Sequence, residues 1–467
     1  MKKINFINTQ NLRMFGVFII IINTIIILIL TPYMMAQIGD NKKNQDNVQT
    51  AAVAAIEENN WITPAKIGSP QPRQPTKEEV EKYPLLTNLP ALYINTEYKM
   101  SKITKEKYLP ATYTLVYEDG SGLYDQPLML KGRGNFQWGM AKKPYTIKLA
   151  KDTGLLGMKE GRKWNILAGY IDKTFLRDYL TFSLAKTAGL EHTPDCRFID
   201  VFLNGVYNGH YLLTESIQIG ENRIDIDKNT EAIFEIEAVY RHGDHTYCIE
   251  MIDDYIHVMY KKPDEEDLDA EIRLENLRKF KEFFYKLDKS LSEGYDEYSK
   301  YIDVESFVNW YIVNEFCKNY DSNFTSSCYC YLKDGKIYMG PVWDYHTCYG
   351  SQDVATGLDP KGYHVNNSPW YSRLMKDKTF SQLVCDRWTE LRKAWVFEDF
   401  VDDLYDKAEY ISESRKKNNE LWPDTLKDSG LRGSKSRYTY EGEIEYLVDW
   451  IDDRIFWLDM EWYGKKK

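Results

Sequence analysis

Apolar and polar positions alternate with two different periods in the two halves of this chain. From residue 86 onward, short runs rich in β-branched and aromatic residues recur at 90–97, 111–119, 127–134, 144–150 and 163–171. Turn-forming residues separate them, and they predict strands. In Tyr145-Thr146-Ile147-Lys148-Leu149 the apolar side chains alternate with Thr146 and Lys148, as in a half-buried strand. An apolar stripe of Phe175, Leu176, Tyr179, Leu180, Leu184 and Ala188 predicts a helix over 173–188, with Gly189 as its stop. Two runs, 197–203 and 206–215, flank Asn204-Gly205, the strongest short-range hairpin signal. Further strands follow at 232–239, 246–252 and 256–262. After Pro263 the period lengthens: 267–287 and 303–319 read as amphipathic helices, and the chain beyond 380 is mostly helical. One strand pair, 327–344, turns around Asp334-Gly335 inside this helical part. A sheet-rich half followed by a helical half predicts a two-lobed α+β enzyme with a cleft between the lobes.

The N-terminus has another character. Lys2, Lys3 and Arg13 precede an uncharged apolar run over 15–30. With its flanks it approaches the roughly 20 residues that span a bilayer. Only Ala36 supplies a small residue for cleavage, so an uncleaved signal anchor is favoured over a signal peptide, with the bulk of the chain outside. Residues 37–85 are polar and Pro-rich and read as a linker. The folded part is then 86–467, divided into 86–262 and 263–467.

Composition narrows the functions. The net charge of −11, with no basic stripe, argues against nucleic-acid binding. Seven cysteines without a CxxC pair argue against a zinc ribbon or a thioredoxin-type site, and they read as small buried hydrophobes. HExxH and GxSxG are absent. His242 and His245 form either a metal-binding pair or, more simply, part of a solvated turn.

The stretch 314–346 carries the most chemistry. Asp321 follows a helix, a hairpin comes next, and Asp344 lies just past it, so the two acids are expected to face one cleft. Phosphoryl transfer uses such a pair, one carboxylate aligning the attacking hydroxyl and the other holding Mg²⁺ against nucleotide phosphates. The plain alternative is a turn acid and a surface acid. Lys148, on a strand upstream of a helix, is a candidate for the phosphates, with Lys142 and Lys143 as rivals. Lys131-Gly132-Arg133-Gly134-Asn135 could bring backbone N–H groups and Arg133 to phosphate, although it is neither a Walker A sequence nor GxGxxG. Glu215 and Arg177 could pair with each other or bind ligand.

Taken in order, KGRGNFQWGMAKKPYTIKL, the block from TGLLGMKEGRKWNILAGYIDK to KTAGL, CRFIDVFLNGVYNGHYLLTES, NWYIVNEFCKNYDSN and GKIYMGPVWDYH resemble the serial motifs of the spore-coat protein H (CotH) kinase family, from about residue 128 to 350. The resemblance implies an atypical protein-kinase-like fold that uses ATP and a divalent cation, Mg²⁺ or Mn²⁺, to phosphorylate Ser or Thr of secreted, coat or cell-surface proteins. It implies Asp321 as the catalytic aspartate and Asp344 as the metal-binding one. It places Lys148 in the block matching the nucleotide-binding strand, and the residues themselves offer Arg133 and Glu215 as further candidate cofactor contacts. Ser326 or Ser327 falls where many relatives carry a metal-contacting Asn, with Ser326 taken as the candidate, and His346 falls where many carry an acid. These departures keep alive a catalytically weak surface-binding, adhesion or envelope-scaffold module on the same fold. AMP transfer shares many of the same parts. The implied location is the cell membrane, single-pass with an extracellular domain, or secreted, including a spore or cell envelope.

Overall fold

The computed structural model describes residues 69–240, 247–251, 255–264, 267–351, 355–427 and 436–466. The apolar run at 15–30, most of the Pro-rich stretch, and His242 and His245 lie outside the described residues. Among the described residues no helix is long and apolar enough to cross a membrane.

The architecture is mixed α+β, with a sheet-rich N-terminal half and a helical C-terminal half. Seven strands close into a barrel: β1 (Ala91–Asn95), β2 (Leu109–Val116), β3 (Gly122–Gly132), β4 (Tyr145–Thr153), β5 (Gly161–Leu167), β6 (Cys196–Leu203) and β7 (Val206–Glu215). Their order is β1-β2-β3-β4-β5-β7-β6, and a parallel pairing of β1 with β6 closes the ring. Period-2 patterning explains its interior. Leu128, Leu130, Ile147, Leu149, Trp164, Ile166 and Leu213 point inward and are buried. The opposite face of β3, β4 and β5 carries Lys131, Thr146, Lys148, Lys163 and Asn165, brought together by the pairings Lys131↔Thr146, Thr146↔Asn165 and Lys148↔Lys163. Closure leaves no unpaired edge to this sheet.

A second, five-stranded antiparallel sheet holds β8 (Ala232–Ala238), β9 (Cys248–Met251), β10 (Ile256–Lys262), β11 (Cys328–Lys333) and β12 (Lys336–Met339), in the order β12-β11-β8-β10-β9. The expected ribbon around Asp334-Gly335 thus pairs with strands from the other half of the chain.

Composition alone assigns residues 69–85 to the linker, but they pack on the barrel. Arg73 and Gly122 exchange backbone hydrogen bonds of 3.0 and 2.9 Å. The short helix α1 (Lys77–Lys82) has a capping box on Thr76, and Tyr83 is buried edge-on against Tyr93.

The other long helices are α2 (Arg177–Thr187), α3 (Ala270–Ser290), α4 (Val304–Cys317), α5 (Lys378–Lys393), α6 (Val396–Tyr410), α7 (Ser412–Leu421) and α8 (Tyr440–Trp462). Phe280 and Phe284 of α3 meet Phe234 of β8 edge-on at 5.2 and 5.0 Å. Helix α4 is buried on every side from Phe307 onward. Glu315 on α4 and Arg454 on α8 form a fully buried pair at 2.9 Å. The Val365 and Asn366 N–H groups also donate to that carboxylate, at 2.8 and 3.1 Å, so the buried charge is satisfied. This network fixes the C-terminal end of α4, from which the loop carrying Asp321 departs. All seven cysteines are free thiols, and all but Cys248 are buried.

Candidate active site

Asp321 and Asp344 occupy two irregular segments on either side of the β11–β12 ribbon. Helix α4 ends at Lys318, which adopts φ 46° and donates from Nζ to the carbonyls of Asp359 (2.8 Å) and Lys361 (2.7 Å). The single turn Tyr320–Ser322 follows and carries Asp321. The Asp321 carbonyl accepts from the Thr325 N–H at 3.0 Å and the Cys328 thiol at 3.3 Å, which folds the loop back toward β11. Phe324 and Ser327 in this loop, and Asp344 beyond β12, all have positive φ (59°, 56° and 69°). Non-glycine residues rarely take this conformation, and when they do it is often at functional sites.

Asp344 contacts His346, and Asp321 acts on the same ring through its charge. The ring Nδ1 lies 2.6 Å from Asp344 Oδ1; the His346 side chain is 9% exposed and that of Asp344 35%. Burial would lower the imidazolium, but Asp344, with Asp178 and Asp321 adding to it, pushes its pKa up to about 9. Asp178 was not singled out from the sequence. It sits in the first turn of α2, where its Oδ1 accepts from the Tyr345 N–H at 2.6 Å. Burial raises its carboxyl to about 6, His346 and the Tyr345 N–H pull it down, and Asp344 pushes it up. From sequence, an acid in a first turn reads only as a partner for the helix dipole.

Arg133 approaches the same acids from the barrel. Its guanidinium lies over the Trp343 ring at 5.1 Å. Burial lowers its pKa, and Asp344, Tyr329 and Asp178 oppose that shift. Arg133 and Trp343 line a cavity of about 690 Å³ between the barrel and the second sheet. Its charged lining is five cations, Lys105, Lys131, Arg133, Lys163 and Lys262, against two carboxylates, Glu106 and Asp264. Tyr329 and Ile217 supply apolar surface. Lys148 shares the outer barrel face with Lys163, its direct cross-strand neighbour, and of the two it is Lys163 that lines the cavity. Lys163 Nζ stands 2.6 Å from Asp264 Oδ2.

Glu215 belongs to a different cavity, of about 540 Å³. It pairs with Arg223 at 2.9 Å, the two side chains being 8% and 5% exposed, and it accepts from the Asp195 N–H at 3.0 Å. Arg177 pairs instead with Asp172 at 2.6 Å. The expected Glu215–Arg177 pair is therefore replaced by two separate local pairs. Lys142 is buried, donating to the Ala168 carbonyl at 2.7 Å, and Lys143 donates to the Trp138 carbonyl at 2.6 Å.

The donor set suits a hard cation held jointly with phosphate. Among the described residues no three His, Cys, Asp or Glu side chains form a ready-made cage. Mg²⁺ normally takes one or two protein carboxylates and completes its shell with phosphate and water. Asp344, partly exposed beside a cationic cavity, fits that requirement. Ser326 is buried next to the Asp321 loop, with its N–H 3.5 Å from the Asp321 carbonyl.

No curated protein matches the chain. A family model described as CotH kinase protein matches residues 130–458, from the end of β3 into α8, and so includes most of the cavity lining, Asp178 and both loop acids; the chain belongs to the CotH kinase family.

Proposed function

We propose that this protein is an exported kinase that transfers the γ-phosphoryl group of ATP to Ser or Thr hydroxyls of secreted, coat or cell-surface proteins. The observation that carries this reading is a cation-lined cavity that reaches Arg133 and Trp343, beside Asp344 and its partner His346. Excess positive charge favours a polyphosphate, and Tyr329 and Ile217 offer apolar surface for a base. The barrel then acts as the nucleotide-binding lobe of a kinase-like architecture, and the helical half carries the catalytic acids.

In this reading Arg133 and Lys163 bind and orient the phosphates, and Lys148 adds to the same positive face. Asp321 aligns the acceptor hydroxyl and takes its proton as the new oxygen–phosphorus bond forms and the bond to the ADP oxygen breaks. Asp344, with Ser326 near the second position, would hold Mg²⁺ or Mn²⁺, which supplies charge neutralisation at the phosphates when bound. The apolar run at 15–30 would tether the enzyme outside the membrane.

The Asp344–His346 contact favours a second reading, in which the cation site is weak and the fold serves as a binding module. Incubating the full-length protein with labelled ATP and each divalent metal separates the two. Label on Ser or Thr of the enzyme or an acceptor supports the kinase. Binding without transfer under any metal supports the module.

A further inference from the structure

His346 stands where the barrel and the acid-bearing segment meet. Its Nδ1 holds Asp344 Oδ1 at 2.6 Å. The Gln137 amide nitrogen lies 3.1 Å from the same Nδ1 and 3.5 Å from Nε2. An atom that close to both ring nitrogens sits over the ring face, not along one lone pair. Gln137 opens the short turn Gln137–Gly139, which follows the glycine turn of β3, and it is 209 positions from His346 in sequence. Between Asp344 and His346, the Tyr345 N–H is fixed by Asp178 at 2.6 Å. One ring therefore touches both the carboxylate and the barrel turn, while α2 pins the backbone between Asp344 and His346.

The barrel turn is anchored toward its ends, where the Trp138 ring packs on the barrel core, the Trp138 carbonyl accepts from Lys143 Nζ at 2.6 Å and Arg133 lies over Trp343 at 5.1 Å, and its tip is less covered. Gly134, Asn135 and Phe136 are exposed, and Gly134 has φ 77°. Lys105 reaches Asn135 Oδ1 at 3.3 Å, and the Arg133 N–H donates to the Pro144 carbonyl at 3.2 Å. An exposed tip of this kind opens locally unless a tertiary contact holds it.

We propose that His346 is a positioning residue that locks the 133–140 turn of the barrel to the Asp344 carboxylate, so that the phosphate-facing turn and the cation-holding acid are set in register by a contact additional to that of Arg133 with Trp343. The catalytic consequence rests on the kinase reading; the lock itself does not.

Hydrogen exchange on the full-length protein, followed by mass spectrometry, tests the lock without reference to activity. In H346A and in Q137A, exchange of the 133–140 amides should rise by about threefold to tenfold, and the double variant should match the single ones, because both break one contact. H346N keeps a donor for Asp344 and loses the ring; it should keep Asp344 ordered but free the turn. Unchanged exchange at 133–140 in folded H346A, or additive effects in the double variant, overturns the lock. If H346A does not fold, Q137A at the other end of the contact gives the same answer. In transfer assays the lock predicts that Q137A raises KM for ATP several-fold with kcat little changed. Raised exchange with wild-type KM overturns the catalytic consequence. Raised exchange together with no transfer by the wild type leaves the lock standing and overturns the kinase reading.

Discussion

Two cavities share Ser216 and Ile217, where β7 leaves the barrel, and they treat charge in opposite ways. In the smaller, three cations face three carboxylates besides His192, and the central pair, Glu215 and Arg223, is buried and in direct contact. Its charges are balanced within the protein, which is how a structural ion pair survives burial. In the larger, five cations face two carboxylates, and the cavity runs toward Arg133, Trp343 and the acids around His346. In the proposed reading, positive charge left unbalanced beside Asp344 receives the phosphates of a nucleotide together with a cation. The comparison teaches that buried charge alone does not mark a site; the sign of what remains after local pairing does.

The largest effect should come from the acids. Asp321→Asn keeps shape and hydrogen bonding but removes the proton acceptor, so transfer should fall by about 10³-fold with an unchanged melting point. Near-wild-type turnover in that variant would reduce the acid cluster to structure. Next, the two arginines should separate. Arg133→Ala should weaken ATP binding by roughly tenfold, measured by calorimetry, while leaving the fold intact. Arg223→Ala strands a buried carboxylate, so it should cost about 3 kcal/mol in denaturant unfolding and leave ATP affinity alone. If both variants lose ATP affinity equally, the two cavities form one site and the contrast fails. A smaller, few-fold effect distinguishes the paired lysines: Lys163→Ala should raise KM for ATP more than Lys148→Ala, because Lys163 lines the cavity.

The smallest effect is in stability. Asp178 has a folded value of about 6 against an ordinary 3.8, so the folded state holds its proton more tightly than the unfolded one. Its contribution is fully present below about pH 4 and is lost as pH rises through 6. Asp178→Asn, which keeps an acceptor for the Tyr345 N–H, should remove that loss and raise the melting point by a few degrees at pH 7. A melting point that falls by as much would show that the charge, through His346, holds the segment together.

Local patterning made much of the fold legible. Asn204 and Gly205 turn with φ 50° and 76°, and Asp334 and Gly335 with 50° and 75°, as paired turn residues between alternating runs should. The helix expected from 173 begins instead at Arg177, because Asp172 and Thr174 use their side chains on backbone N–H groups, including that of Arg177, and so make a turn first. Closure of the barrel was not legible: it depends on β1 pairing with β6 about a hundred residues later, and no local period encodes that. The same limit applied to the site. Asp321 and Asp344 stood out because a hairpin separates them. Lys148 stood out as a polar strand residue, but which lysine of that face reaches the cavity depends on cross-strand register. Asp178 and the contact of His346 with Gln137 are products of tertiary packing and left no sequence signal beyond an acid in a first turn and a His at an unexpected place.

The central claim is that Asp344 holds a cation against nucleotide phosphates in the larger cavity. The direct measurement is mass spectrometry of acceptor hydroxyls after incubating wild type and Asp344→Ala with ATP and Mg²⁺ or Mn²⁺, with circular dichroism to check folding. The account predicts phosphoryl groups on Ser or Thr with the wild type and none with the folded variant. Wild-type levels of phosphorylation by Asp344→Ala, or an adenylyl group on the acceptor in place of phosphate, would contradict it.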